Sequence, residues 1–185
     1  MKQNESIVMY VLRLAGTLLL ICAVTAGLLA GVNGITAPII AELNAAATQE
    51  AISAVLPGGF DSEITDYADA SGIVSKVYQG ENGYALEVGP GGFDNTITMM
   101  VGNDNEGKVL GISVVSHTET AGLGAVADAD TPKGIAFREQ FVGTSGSVSV
   151  TKDGGMMDAI TGATITSRAI CVGVNAALDC VAGLG

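Results

Sequence analysis

From Leu14 to Ala41 the chain carries no Asp, Glu, Lys or Arg, and this run of 28 residues, LAGTLLLICAVTAGLLAGVNGITAPIIA, limits what the rest can be. As a helix it would reach about 42 Å at ~1.5 Å per residue, beyond the roughly 30 Å hydrocarbon core of a bilayer. Pro38 predicts a stop, which leaves residues 14–37, still enough to span. Ala45-Ala46-Ala47 offers a cleavage site for a signal peptide, but the apolar core of such a peptide is only about 7 to 15 residues. A retained transmembrane anchor is therefore expected.

Lys2 and Arg13 precede the run, and the next basic residue after it is Lys76. Positive charge stays on the cytoplasmic side, so residues 1–13 are expected inside and everything after the span outside. Thr36-Ala37-Pro38 reads as a cap and helix start, followed by an alanine-rich helical stalk at 38–57. The remaining domain, 58–185, faces away from the cytoplasm in this reading.

Between Glu42 and Gly185 there are 18 acidic and 6 basic residues, a net charge of −12. Such a field repels nucleic acid and anionic lipid surfaces, so neither is an expected partner. Cys22, Cys171 and Cys180 form no CxxC, and His117 is the single histidine. No zinc, iron–sulfur or bis-histidine haem site can be built from this set, and no metal site is expected. Redox chemistry here would need an organic cofactor.

Four β-like runs, at 72–79, 84–88, 95–101 and 108–117, are separated by turn-forming GENG and NDNEG. Their spacing predicts an antiparallel meander. PKGIAFREQFVG from Pro132 predicts a helix closed by Gly143, SVSVTK at 147–152 a returning strand, and the tail from Ser167 a helix. That tail has an apolar stripe at Ile170, Val174, Ala177 and Val181. The expected fold class is α+β, a mainly antiparallel sheet with packed helices, preceded by one N-terminal transmembrane helix.

Three loops carry the chemistry. In DAITGATITS, Asp158 to Ser167, small Gly162 and Ala163 stand among the hydroxyls of Thr161, Thr164, Thr166 and Ser167, just before the tail helix. A helix N-terminus there would aim free N–H groups at a phosphate, although hydroxyls at such a place also serve as plain caps. In HTETAGLG, His117 to Gly124, the glycines allow close backbone approach and Leu123 offers an apolar face. Gly89-Pro90-Gly91-Gly92-Phe93 is a glycine-rich turn.

Asp158-x-x-Thr161-Gly162-Ala163-Thr164 resembles the flavinylation motif of the FMN-binding-domain family, and HTETAGLG resembles the HxETPGLG segment of its RnfG branch, with Ala121 in place of the proline. TAPIIAE and VLPGGF also match that layout, so the resemblance covers nearly the whole chain. It implies FMN linked through its phosphate to the Thr164 oxygen, with Thr161, Gly162 and Ala163 shaping the loop and Asp158 part of the recognition signal. Thr166, Glu119, Thr120, Leu123, Gly124, Gly91 and Gly92 are the further cofactor-binding candidates, and no residue is expected to be catalytic. A tyrosine that the family often carries in the glycine-rich turn is missing beside Pro90.

The resemblance further implies an electron-relay subunit of a membrane ion-translocating ferredoxin:NAD oxidoreductase of the Rnf type, matured by an FAD-dependent flavin transferase. Its partners would be the other subunits of that complex and, through one span, membrane lipid. Alternatives are the covalent-FMN subunit of the Na⁺-translocating NADH:quinone oxidoreductase, a non-covalent flavin-binding module, and a structural surface protein.

Overall fold

The apolar run forms part of one long helix, α1, spanning Lys2–Val55 in the computed structural model, which describes residues 2–184. Met1 and Gly185, the outer limits of the expected domains, lie outside the described residues, as does the side chain of Lys2. The helix passes through Pro38 instead of stopping before it. Proline's fixed φ is close to the helical value, so the chain continues and loses only the bond that the Pro38 nitrogen would have given to the Gly34 carbonyl. The Thr36 hydroxyl turns back on the Val32 carbonyl at 3.0 Å, as those of Thr17 and Thr25 do on Arg13 and Ile21. These hydroxyls thus satisfy themselves on their own helix, as a hydrocarbon environment demands.

Large apolar side chains are exposed all round α1, from Met9 and Leu12 through Leu20 and Leu28 to Ile39 and Leu43. A helix apolar on every side and uncovered by protein is a membrane span. The chain divides into two units at Ala46 and Ala47. The second unit begins before position 58 because Ala51, Ile52 and Val55 at the end of α1, and Leu56 just after it, are buried against the sheet.

The sheet has five antiparallel strands in sequential order: β1 Ser62–Ile64, β2 Val74–Gly80, β3 Gly83–Val88, β4 Thr98–Asp104 and β5 Val109–Ser116. The expected meander is present, with β1 added at its edge. Side chains alternate between two cores. Tyr78, Ala85 and Met100 meet the end of α1, while Val77, Leu86, Val88, Met99 and Val101 face the other way. That second face is covered by α3, Thr164–Ala182, whose Ile170, Val174, Ala177 and Val181 stripe is buried as expected. α3 is long and apolar enough to cross a bilayer, but most of it lies inside this core.

One expected strand is missing from the domain. The 147–152 segment is not a strand: Asn175 of α3 accepts from the Val148 amide at 2.7 Å and donates to its carbonyl at 2.9 Å. With its backbone satisfied by a side chain, the segment makes only an isolated bridge, Val150 to Met157, and then a 3₁₀ turn over Thr151–Asp153. A second 3₁₀ turn, Gly124–Ala127, leads from HTETAGLG to α2, Pro132–Glu139, which Thr131 caps by accepting from the Gly134 amide.

Candidate functional site

The tail helix starts at Thr164, three residues before the expected Ser167. Gly162, at φ +79°, turns the chain where a side-chain-bearing residue would be strained, and Ala163 becomes the residue before the helix. Ser167 then lies inside the first turns, where its hydroxyl donates to the Ala163 carbonyl at 2.9 Å and accepts from the Ile160 amide at 3.0 Å. This pins the loop from within the helix. No side chain caps α3, so its leading N–H groups are left without an intrahelical partner and point toward the loop.

Glu119 draws the three loops together. Its carboxylate is buried, accepts from the Phe93 amide at 2.7 Å and the Asp94 amide at 3.4 Å, and takes the Thr166 hydroxyl at 2.5 Å. A Cβ on Gly124 would strike Glu119 and Thr166, and one on Gly92 would strike Glu119 and Ile97, so a side chain at either position would force Glu119 to shift. His117 accepts from the Glu119 amide through Nδ1 at 3.1 Å, while its Nε2 lies 3.8 Å from Asp128.

The result is a cavity of about 280 Å³ lined by Phe93, Glu119, Thr120, Leu123, Gly124, Lys152 and the stretch from Gly162 to Thr166. Eight of the twelve sequence-derived candidates line it: Glu119, Thr120, Leu123, Gly124, Gly162, Ala163, Thr164 and Thr166. Asp158 and Thr161 instead line a neighbouring cleft of about 520 Å³ with Lys133, Phe137 and Gln140. There the Asp158 amide donates to Gln140 at 2.6 Å, and Gln140 donates back to the Asp158 carbonyl at 3.3 Å. Gly91 lies outside both, in a bridge with Thr96, and Gly92 supports the wall through Glu119.

Sequence reasoning missed Lys152. Its ammonium donates to Thr164 Oγ1 at 3.0 Å from the 3₁₀ turn that replaced the expected strand. Next to it, Asp153 accepts two bonds from Arg168, at 2.6 and 2.7 Å. The Arg168 hydrogen bond and charge hold the Asp153 carboxyl below its ordinary range and raise Arg168 in turn. Phe93 and Ile165 were also missed as walls; both are exposed apolar side chains at the cavity. The described residues hold no group of three or more His, Cys, Asp or Glu placed to bind a metal.

A half-buried threonine at an uncapped helix start, beside an ammonium and an apolar slot, suits a phosphate-bearing aromatic cofactor. A family model described as the FMN-binding domain matches residues 92–179, which contain every residue that lines the cavity. A second, described as the RnfG N-terminal region, matches residues 1–55. The class is thus an FMN-binding flavoprotein domain carried on an apolar N-terminal helix.

The chain is 33% identical to the G subunit of the Na⁺-translocating ferredoxin:NAD⁺ oxidoreductase complex of Acetobacterium woodii, over 91% of this chain and 90% of the relative. It is 36% identical to the G subunit of the ion-translocating oxidoreductase complex of Photorhabdus laumondii, covering 83% and 82% of the two chains. With the protein of the same description from Methanosarcina acetivorans it shares 34%, covering 89% and 91%. The chain belongs to the RnfG family, the G subunits of Rnf-type ion-translocating oxidoreductase complexes.

Proposed function

We propose that this chain is the electron-relay flavoprotein subunit of a membrane ion-translocating ferredoxin:NAD oxidoreductase, with FMN joined by a phosphoester to Thr164. The observation that carries this reading is the convergence of three distant loops on one cavity with the Thr164 hydroxyl in its wall. The residues fit the group. Lys152 and the open amides of α3 supply positive potential for a phosphate, and Phe93, Leu123, Ala163 and Ile165 supply apolar surface for a ring.

Bound FMN supplies the reversible electron transfer, and the chain's own work is to hold and orient it. Thr164 anchors the phosphate. Glu119 fixes Thr166 and the Phe93 turn relative to each other, so the slot keeps its width. Covalent attachment suits a domain facing outward, because a dissociable cofactor would be lost from it irreversibly. The N-terminus is cytoplasmic, α1 crosses the membrane once among its lipids, and a flavin transferase matures the domain on the far side. The other subunits of the complex exchange electrons with the flavin. Asp158 and Thr161, which line the adjoining cleft, act in recognition by the transferase rather than in holding the cofactor.

Peptide mass spectrometry of natively produced protein, beside Thr164→Ala, tests the linkage, with ultraviolet fluorescence read from a denaturing gel. The expected result is an FMN-sized addition on the Thr164 peptide and a fluorescent band, both absent from the variant. An unmodified peptide from a host that contains the transferase would overturn the covalent reading.

A further inference from the structure

Lys152 is the one cation that lines the cavity among the described residues, and its only polar contact there is the neutral Thr164 hydroxyl. It forms no ion pair among the described residues, although the carboxylate of Asp153 is next to it in sequence. Arg168, one helical turn beyond Thr164, takes both oxygens of Asp153 and so keeps that carboxylate from the lysine. The turn that carries Lys152 is itself fixed. The Thr151 amide donates to the Met157 carbonyl at 2.9 Å, and the Asp153 and Gly155 amides both donate to the Val150 carbonyl, at 2.9 and 3.1 Å. Gly154 closes it in the left-handed conformation, at φ +85°.

We infer that Lys152 is a positioning residue for the Thr164 phosphoester, held uncommitted by the Asp153–Arg168 pair so that its ammonium is available to a phosphate oxygen. The inference rests on the covalent reading of Thr164. In attachment, Thr164 Oγ would attack the flavin-side phosphorus of FAD, a phosphorus–oxygen bond of the pyrophosphate would break, and AMP would leave. The hydroxyl proton passes to solvent or to the departing AMP, and nothing is oxidised or reduced. Residues 42–185 include 18 acidic and 6 basic side chains, so an anionic dinucleotide approaches against their field. Lys152 offsets that field at the one place where the pyrophosphate must come, and afterwards pairs with the charge left on the phosphodiester.

Full-length protein with purified flavin transferase and FAD provides the test, through the initial rate of fluorescent labelling in wild type, Lys152→Met, Lys152→Arg and Arg168→Gln. Lys152→Met is expected to label about tenfold or more slowly, the loss typical of a charge-assisted hydrogen bond, and Lys152→Arg to recover most of the rate. Arg168→Gln, which frees the Asp153 carboxylate to pair with Lys152, is expected to fall between them. A second readout is the phosphorus-31 resonance of fully labelled protein, folded against unfolded. The folded shift should differ from the unfolded one in wild type and collapse toward it in Lys152→Met, while thermal unfolding of the unlabelled chains stays unchanged. Equal labelling rates and equal resonances in wild type and Lys152→Met would overturn this inference alone. An unlabelled wild type would overturn the covalent reading and this inference with it.

Discussion

Glu119 and Thr166 are 47 residues apart in sequence and joined by a buried hydrogen bond, and through it the HTETAGLG loop is fastened to the first turn of α3. The same carboxylate holds the glycine-rich turn by the Phe93 amide. One side chain therefore sets the spacing of three loops that local sequence leaves independent. Glu119→Ala strands the buried Thr166 hydroxyl, at about 1–3 kcal/mol, and the partly buried Phe93 amide, at less. Thermal unfolding of the detergent-solubilised chain should show a loss of about 3 kcal/mol, with flavin content reduced. Glu119→Gln keeps an acceptor oxygen and should lose only about 1 kcal/mol. Equal stability of both variants with wild type would remove Glu119 as the fastener.

Gly162 stands at φ +79° and its missing Cβ would lie 2.9 Å from Leu123 Cδ2. Gly162→Ala must hold a strained backbone, at about 1–2 kcal/mol, and push Leu123 aside. Because Leu123 lines the cavity, the displacement narrows the slot. Reduced flavin per chain together with a lower unfolding temperature is the expected outcome. Wild-type values of both would show that the turn accepts a side chain.

Much of this arrangement can be read in the sequence, and the parts that cannot have a common cause. The charge-free run, the meander and the buried α3 stripe follow from local periodicity, which is a property of neighbouring residues. The threonine-rich loop and HTETAGLG are each legible as units because their glycines and hydroxyls are adjacent in the chain. Lys152 is not, because its place beside Thr164 depends on a segment that looks like a strand and is denied that role by Asn175, a residue of another element. Asp158 belongs to the motif by sequence, yet Gln140 draws its backbone into a different cleft. Pro38 predicts a break because the rule for proline is local, whereas α1 tolerates the loss of a single bond.

Cys171 is buried in α3, and removal from water, together with the charge of Asp153, pushes its thiol up to about 11 from 9.0. The thiol is thus neutral in the folded chain at about pH 8, and thiol reagents should label it slowly until the protein unfolds. The raised folded value favours the unfolded state once the unfolded thiol can ionise, so the folded chain is unaffected below about 9 and loses stability as pH climbs from there toward 11. Thermal unfolding between about pH 8 and 11 should therefore show a decline that is smaller in Cys171→Ala. A decline of the same size in both proteins would assign it to other groups.

Leu20 and Leu28 are 64% and 67% exposed on α1, although nothing about a leucine favours water. In a bilayer the same exposure is burial, and the two side chains lie within the 14–37 segment expected to span. An arginine near the middle of a span costs about 3 kcal/mol, so Leu20→Arg with Leu28→Arg should weaken insertion by about 6 kcal/mol. Membranes extracted at alkaline pH should then release much of the doubly substituted chain, while a double change to isoleucine should stay with the lipid. Retention of the arginine variant at the wild-type level would mean that α1 is held by other subunits rather than by hydrocarbon. Its exposed leucines would then be a protein interface, and the chain's tie to the membrane would pass through its partners.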